Sequence, residues 1–168
     1  LNAAFAIVLA RAVGLESESI QAGLNKPLEI SDRMEIFRSK NRMIISDCYN
    51  SNPAAMKNVI DYWFQTEPSL PHVAILGDML ELGEQSFQYH REIGEHIKMK
   101  SSEKGIKPRI IAVGRLAKYY LANQNDRQVF TNVEELINSE IIRSISDKAI
   151  VLIKGSHGIH LEKIKGRL

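Results

Sequence analysis

His72-Val73-Ala74-Ile75-Leu76 is an unbroken run of the buried type, and Gly77-Asp78 follow it directly. Two later runs share its form: Arg109-Ile110-Ile111-Ala112-Val113 before Gly114, and Ala149-Ile150-Val151-Leu152-Ile153 before Lys154-Gly155. A strand with one wet face alternates polar and apolar residues. A run without alternation belongs to a parallel strand covered on both faces. Helical segments fit the intervals at 54–65, with Pro53 at the first turn, at about 85–101, near 115–122 and at about 132–143. A short strand fits 128–130, and a last helix begins near 159. Strand–helix alternation with short loops predicts an α/β fold, a doubly wound, mostly parallel, Rossmann-like sheet.

Working outward from this block, the runs 34–38 and 42–47 flank Ser39-Lys40-Asn41 and predict an N-terminal antiparallel hairpin strand. Residues 2–13 read as a helix stopped by Gly14, and Ser17 caps a second helix ending near Gly23, before Pro27. This helical pair reads as the edge of a preceding domain. The expected division is therefore 1–25 as a fragment of one domain and 26–168 as another. The chain begins with Leu1 in mid-helix pattern and is expected to be a piece of something longer.

The 168 residues carry 22 basic and 20 acidic side chains, a net charge of +2. That balance gives no electrostatic reason to expect nucleic acid or a membrane surface. The apolar runs fall far short of the roughly 20 residues a bilayer span needs. A lone Cys48 cannot form an internal disulfide, which fits a reducing compartment.

Open parallel sheets bind ligands beyond the carboxyl ends of their strands. Asp47 ends one strand, and Cys48-Tyr49-Asn50-Ser51-Asn52-Pro53 follow it. Asp47 is suited to a ribose hydroxyl or to a metal ion, and Asn50 and Asn52 to a base edge or ribose. The competing reading is a plain capping loop, because Asp and Asn favour turns and Pro53 opens a helix. Asp78 and Glu81 form a carboxylate pair suited to the ammonium of an amine substrate, against the alternative of helix capping. Glu84 reads as capping. Lys154-Gly155-Ser156 is suited to an anion, against the alternative of a simple strand–turn junction. Arg33, just before the hairpin, is suited to swing toward phosphate, against the alternative of an ordinary solvated Arg. His90, His96, His157 and His160 lack metal-ligand spacing, Trp63 and Phe64 read as core, and Cys48 as packing. None of the ten glycines builds G-x-x-x-x-G-K-[ST] or G-x-G-x-x-G. The chain is therefore not expected to cradle a triphosphate by either loop.

Asn2-Ala3-Ala4, Arg33-Met34, Asp47-x-Tyr49-Asn50-x-Asn52-Pro53, Gly77-Asp78-Met79-Leu80-Glu81-Leu82-Gly83, His90, and Lys154-Gly155-Ser156 with Glu162 together resemble the Mur ligases. The resemblance runs the full chain in order. The Asp-x-Tyr-Asn-x-Asn-Pro and Gly-Asp-Met-x-Glu-Leu-Gly segments resemble the branch that uses D-alanyl-D-alanine. It implies a cytoplasmic bacterial enzyme of three domains working in peptidoglycan precursor synthesis. In it, residues 1–25 would be the closing helices of the central ATPase domain, and the remainder the C-terminal ligase domain. It implies ATP with Mg2+ as cofactors, and UDP-N-acetylmuramoyl-tripeptide and D-alanyl-D-alanine as partners. The substrate carboxylate would be phosphorylated, the dipeptide amine would attack, and phosphate would leave.

By the same resemblance, Asn2 would face adenine and Arg33 would reach the ATP phosphates. Asp47, Asn50 and Asn52 would line the ribose–adenine side, with Tyr49 packing nearby. Asp78, Met79, Leu80, Glu81, Lys154 and Ser156 would border the dipeptide. His157 stands where the family commonly has Arg, and Ser31-Asp32 where Pro-Gly is common. The alternatives are another Mur-type ligase, such as a folylpolyglutamate ligase, and a receiver-like signalling domain built on Asp47, Asp78 and Lys154.

Overall fold

The computed structural model describes residues 2–26, 32–121 and 128–168. Two compact units emerge, Leu1–Ile30 and Ser31–Leu168. The first holds helices α1 (Asn2–Ala12) and α2 (Ser17–Leu24). Gly14, which separates them, has φ 85°. That left-handed geometry suits glycine at a helix end.

The second unit is built on a six-stranded sheet among the described residues. Its strands are β1 (Glu35–Ser39), β2 (Arg42–Asp47), β3 (His72–Gly77), β4 (Arg109–Val113), β5 (Val129–Phe130) and β6 (Ile150–Lys154). Their spatial order is β1-β2-β6-β3-β4-β5. Only the hairpin partner β1 runs antiparallel; the other pairings are parallel. Helices α3 (Pro53–Gln65) and α4 (Ser86–Lys104) follow β2 and β3, and α5 (Val133–Asn138) precedes β6.

The two-faced burial behind the continuous apolar runs is visible residue by residue. Ala74 and Leu76 pack with Met56, Ile60, Trp63, Phe64, Ile93 and Ile97 on the α3–α4 face. Val73 and Ile75 pack with Val133, Leu136, Leu161 and Ile164 on the opposite face. Burying each of these large apolar side chains contributes about 1.5–3 kcal/mol. Trp63 is core, as expected, and its indole N–H donates to the Ile150 carbonyl at 3.2 Å.

Three expected helices are altered. The segment near 115–122 forms only a short 3-10 turn, Ala117–Tyr120. It lies so close to α4 that a Cβ on Gly94 would sit 2.7 Å from the Tyr119 carbonyl oxygen. The helix expected at 132–143 ends at Asn138, because Ser139 turns extended and its hydroxyl caps the Leu136 carbonyl at 2.7 Å. The last helix is replaced by 3-10 turns, His157–Ile159 and Leu161–Arg167, with His160 left-handed between them.

Among the described residues, no helix is long and apolar enough to cross a membrane.

Candidate ligand-binding rim at the strand carboxyl ends

Strand β6 sits between β2 and β3, so the loops after these three strands meet at one end of the sheet. The loops after β2 and β3 lead to α3 and α4 on one face. The loop after β6 leads to the 3-10 turn Leu161–Arg167 on the other. Loops that diverge to opposite faces leave a crevice at the switch strand. Lys154 is the last residue of that strand, in register with Asp47 of β2 and Leu76 of β3.

Lys154 has no exposed surface. Its ammonium donates to Asp47 Oδ2 at 2.7 Å, to the Asn50 carbonyl at 2.9 Å and to the Asp47 carbonyl at 3.3 Å. Three donors thus meet three acceptors, two on the last residue of β2 and one in the loop after it. This corrects the expected grouping. The sequence groups Lys154 with Asp78 on a dipeptide side, as an anion ligand; in the structure its three donors go to Asp47 and Asn50.

Asp47 links this buried cation to the turn carrying Arg33, because its Oδ1 accepts the Met34 N–H at 3.3 Å. The turn is unusual: Asp32 and Met34 both have positive φ, 63° and 45°. Two clamps hold it. The Tyr49 N–H donates to the Asp32 carbonyl at 2.8 Å. Lys165 donates to Asp32 Oδ1 and Glu35 Oε2, each at 2.6 Å. The Lys165 hydrogen bond also holds the Glu35 carboxyl below its usual range. On this platform the Arg33 guanidinium lies 4.1 Å from the centre of the half-exposed Tyr49 ring. A cation at that distance is attracted by the ring quadrupole.

Asn50 and Asn52 are exposed, but each uses its carbonyl oxygen locally. Asn50 accepts from the Ser51 N–H at 2.7 Å, and Asn52 caps α3 through the Ala55 N–H at 2.9 Å. The capping reading therefore accounts for Asn52. Both amide NH2 groups have no protein partner among the described residues. Cys48 is packing, as expected: burial pushes its thiol up to about 11. Asn2 opens α1, and its side chain lies outside the described residues, as does Ser31.

Asp78 also departs from expectation. Its carboxylate accepts the backbone N–H groups of Arg115 (3.0 Å), Leu116 (3.0 Å) and Ala117 (2.6 Å). A Cβ on Gly114, whose φ is 127°, would lie 2.4 Å from that carboxylate. The side chain anchors the loop after β4 and commits most of its acceptor capacity there. A receiver-like reading loses its phosphoacceptor for the same reason.

The loop that follows is latched twice. The Met79 N–H donates to His90 Nε2 at 3.0 Å, and the Leu80 N–H to Ser156 Oγ at 2.9 Å. The Ser156 N–H in turn donates to the Asp78 carbonyl at 3.0 Å. Met79 is buried, while Leu80 and Glu81 face outward. Glu81 adopts φ 62° and Gly83 φ 63°, so the loop turns sharply. His157 is exposed and meets His160 edge-on at 5.7 Å. Among the described residues no group of three or more His, Cys, Asp or Glu is placed to hold a metal ion.

Two groups escaped the sequence reading. Arg42 is buried, with guanidinium bonds to the carbonyls of Ser146, Ile145 and Leu168 and an ion pair to Asp147. Its signal was weak, a lone Arg opening an apolar strand. Lys165 had none beyond its charge.

The fold and rim define an α/β domain whose charged groups are organised at the switch strand. The family of the Mur ligase, glutamate ligase domain matches residues 32–157, and the chain belongs to the Mur ligase family. It is 36% identical over 135 residues to the UDP-N-acetylmuramoyl-tripeptide–D-alanyl-D-alanine ligase of Rickettsia prowazekii, covering 79% of this chain and 28% of that one. It is 29% identical to the ligase of the same name from Bacillus subtilis, covering 98% of this chain and 36% of that one. The crystal structure of MurF from Acinetobacter baumannii superposes with a TM-score of 0.77 at 27% identity, over 99% of this chain and 36% of that one. The chain thus spans about a third of the length of such relatives, and the fold class expected from sequence holds.

Proposed function

We propose that this chain is the C-terminal part of an ATP-dependent ligase that joins D-alanyl-D-alanine to UDP-N-acetylmuramoyl-tripeptide. The observation carrying this reading is the likeness to ligases of that name, reaching 36% identity over 79% of the chain. In this reading, residues 1–25 close a central ATPase domain and 26–168 form the ligase domain. The remainder of the polypeptide holds the triphosphate and its Mg2+.

Asp47, Asn50 and Asn52 offer a carboxylate and two amides to the nucleotide's ribose–adenine side. Tyr49 carries Arg33, whose guanidinium would reach the phosphates. ATP, when bound, supplies the phosphoryl group that activates the tripeptide carboxylate. Leu80 and Glu81 on the latched loop border the incoming dipeptide, while Met79, Asp78 and Ser156 hold that loop from behind. Lys154 acts on the nucleotide side through Asp47. Closure of these loops over the other domains excludes water from an activated carboxylate.

The test is a phosphate-release assay with ATP, the UDP-tripeptide and a panel of amines. Full-length protein is expected to release phosphate with D-alanyl-D-alanine far faster than with single amino acids. The isolated 168-residue chain is expected to show no turnover and at most weak ATP affinity. A preference for a single amino acid, or turnover by the isolated chain, would refute the assignment.

A further inference from the structure

We propose that His90 is a positioning residue: its neutral imidazole, protonated on Nδ1, holds the substrate-facing loop 79–82 in place, and protonation of Nε2 releases it. The hydrogen bonds fix the tautomer. A carbonyl only accepts, so the 2.6 Å contact from Nδ1 to the Ser86 carbonyl requires a proton on Nδ1. A backbone N–H only donates, so the 3.0 Å contact from Met79 requires a lone pair on Nε2. The ring is fully buried and stacks on Tyr120 at 5.1 Å between centroids, so it has no room to rotate away.

The geometry gives this bond a consequence beyond packing. His90 and Ser156 take two consecutive N–H groups, those of Met79 and Leu80, from opposite sides of the loop. Met79 is drawn inward, and the left-handed turn at Glu81 then presents Leu80 and Glu81 at the rim. A second proton on the ring would set two donors against each other at Nε2. It would also place a positive charge 3.9 Å from Asp78 Oδ1, which already receives the N–H groups of Leu116 and Ala117. One protonation thus disturbs both the loop after β3 and the loop after β4.

Few other groups face the ring. Asp78 faces it from the end of β3, and the Tyr120 ring from the 3-10 turn. From α3, Lys57 pairs with Glu92, and Asp61 with His96 and Lys100, away from His90. Burial keeps the His90 pKa below its ordinary 6.5, with the Ser86 bond and Asp78 opposing. Since the folded pKa is depressed, the stabilising contribution is fully present above the unfolded value. It is lost as pH falls from about 6.5 through the folded pKa.

The proposal rests on the reading of loop 79–82 as the dipeptide side, and two readouts on the full-length protein separate the two. The first is hydrogen exchange at the Met79 amide in His90→Leu and His90→Gln. Protection is expected to drop at least about tenfold in His90→Leu, and to survive in His90→Gln, whose side-chain oxygen can accept the same N–H. Unchanged protection in His90→Leu would overturn the proposal. The second is the pH profile of kcat/KM for D-alanyl-D-alanine and for ATP. Wild type is expected to lose dipeptide kcat/KM on the acid side, while His90→Gln, which cannot be protonated there, loses that limb. An identical acid limb in His90→Gln overturns the proposal even if His90→Leu fails to fold. Lost protection in His90→Leu with an effect on ATP KM alone upholds the positioning role and overturns the dipeptide reading of the loop.

Discussion

Asp47→Ala is expected to lower the unfolding free energy by about 3–5 kcal/mol, the cost of stranding one member of a buried ion pair. The asymmetry of the pair makes this the more damaging half to remove. The Lys154 side chain has 0% exposure and the Asp47 side chain 19%. Without the carboxylate, the buried ammonium keeps only the Asp47 and Asn50 carbonyls. Without the ammonium, the carboxylate can still be hydrated at its exposed edge. Lys154→Met is therefore expected to cost less, about 1–3 kcal/mol, mostly for carbonyls left without a donor. The double substitution is expected to cost well below the sum of the two. Urea unfolding of the four proteins closes the cycle. Additive costs would mean that the two groups do not depend on each other. Because Asp47 also holds the Met34 N–H beside Arg33, Asp47→Ala should raise the ATP KM of the full-length protein more than its dipeptide KM.

The sheet was legible because each strand obeys a local rule. Unbroken apolar runs marked β3, β4 and β6 within a residue or so, since burial on both faces removes the need for alternation. The hairpin was legible from its turn. The grouping of the site was not, for a topological reason. Asp47 and Lys154 are 107 residues apart and meet only because β6 inserts between β2 and β3. Strand runs announce that strands exist, not which are neighbours. The receptors of Asp78 were equally hidden, since they are backbone N–H groups 37 to 39 residues downstream and carry no side-chain signature. His90 lacks metal-ligand spacing, and nothing in its immediate neighbours marks it out from the other histidines. The signal that finds it is its face of α4: it precedes Ile93 and Ile97 by three and seven residues, and all three are buried. A polar ring on an apolar stripe must find partners inside the protein.

Asp78→Ala is expected to be the second severe change, costing about 3 kcal/mol. The carboxylate serves three N–H groups, and the environment of each decides its share. Arg115 is exposed, so its freed N–H finds water. Ala117 is buried, and its N–H makes the shortest of the three bonds, 2.6 Å, so it loses most. Leu116 lies between. Asp78→Asn separates this anchoring role from a direct substrate contact. The amide keeps one oxygen, enough for Leu116 and Ala117 on Oδ1, and turns an NH2 toward the Arg115 N–H. The expected stability cost is about 1 kcal/mol, carried by that one opposed pair. If Asp78 instead bound the dipeptide ammonium, losing its charge would weaken dipeptide binding while leaving the fold largely intact. The measurement is therefore a pair: thermal unfolding of both variants, and the dipeptide KM of full-length Asp78→Asn at a temperature where it is folded. A large unfolding cost in Asp78→Ala with a dipeptide KM in Asp78→Asn within about threefold of wild type assigns the carboxylate to the loop after β4. A KM raised a hundredfold with unchanged stability returns it to the substrate.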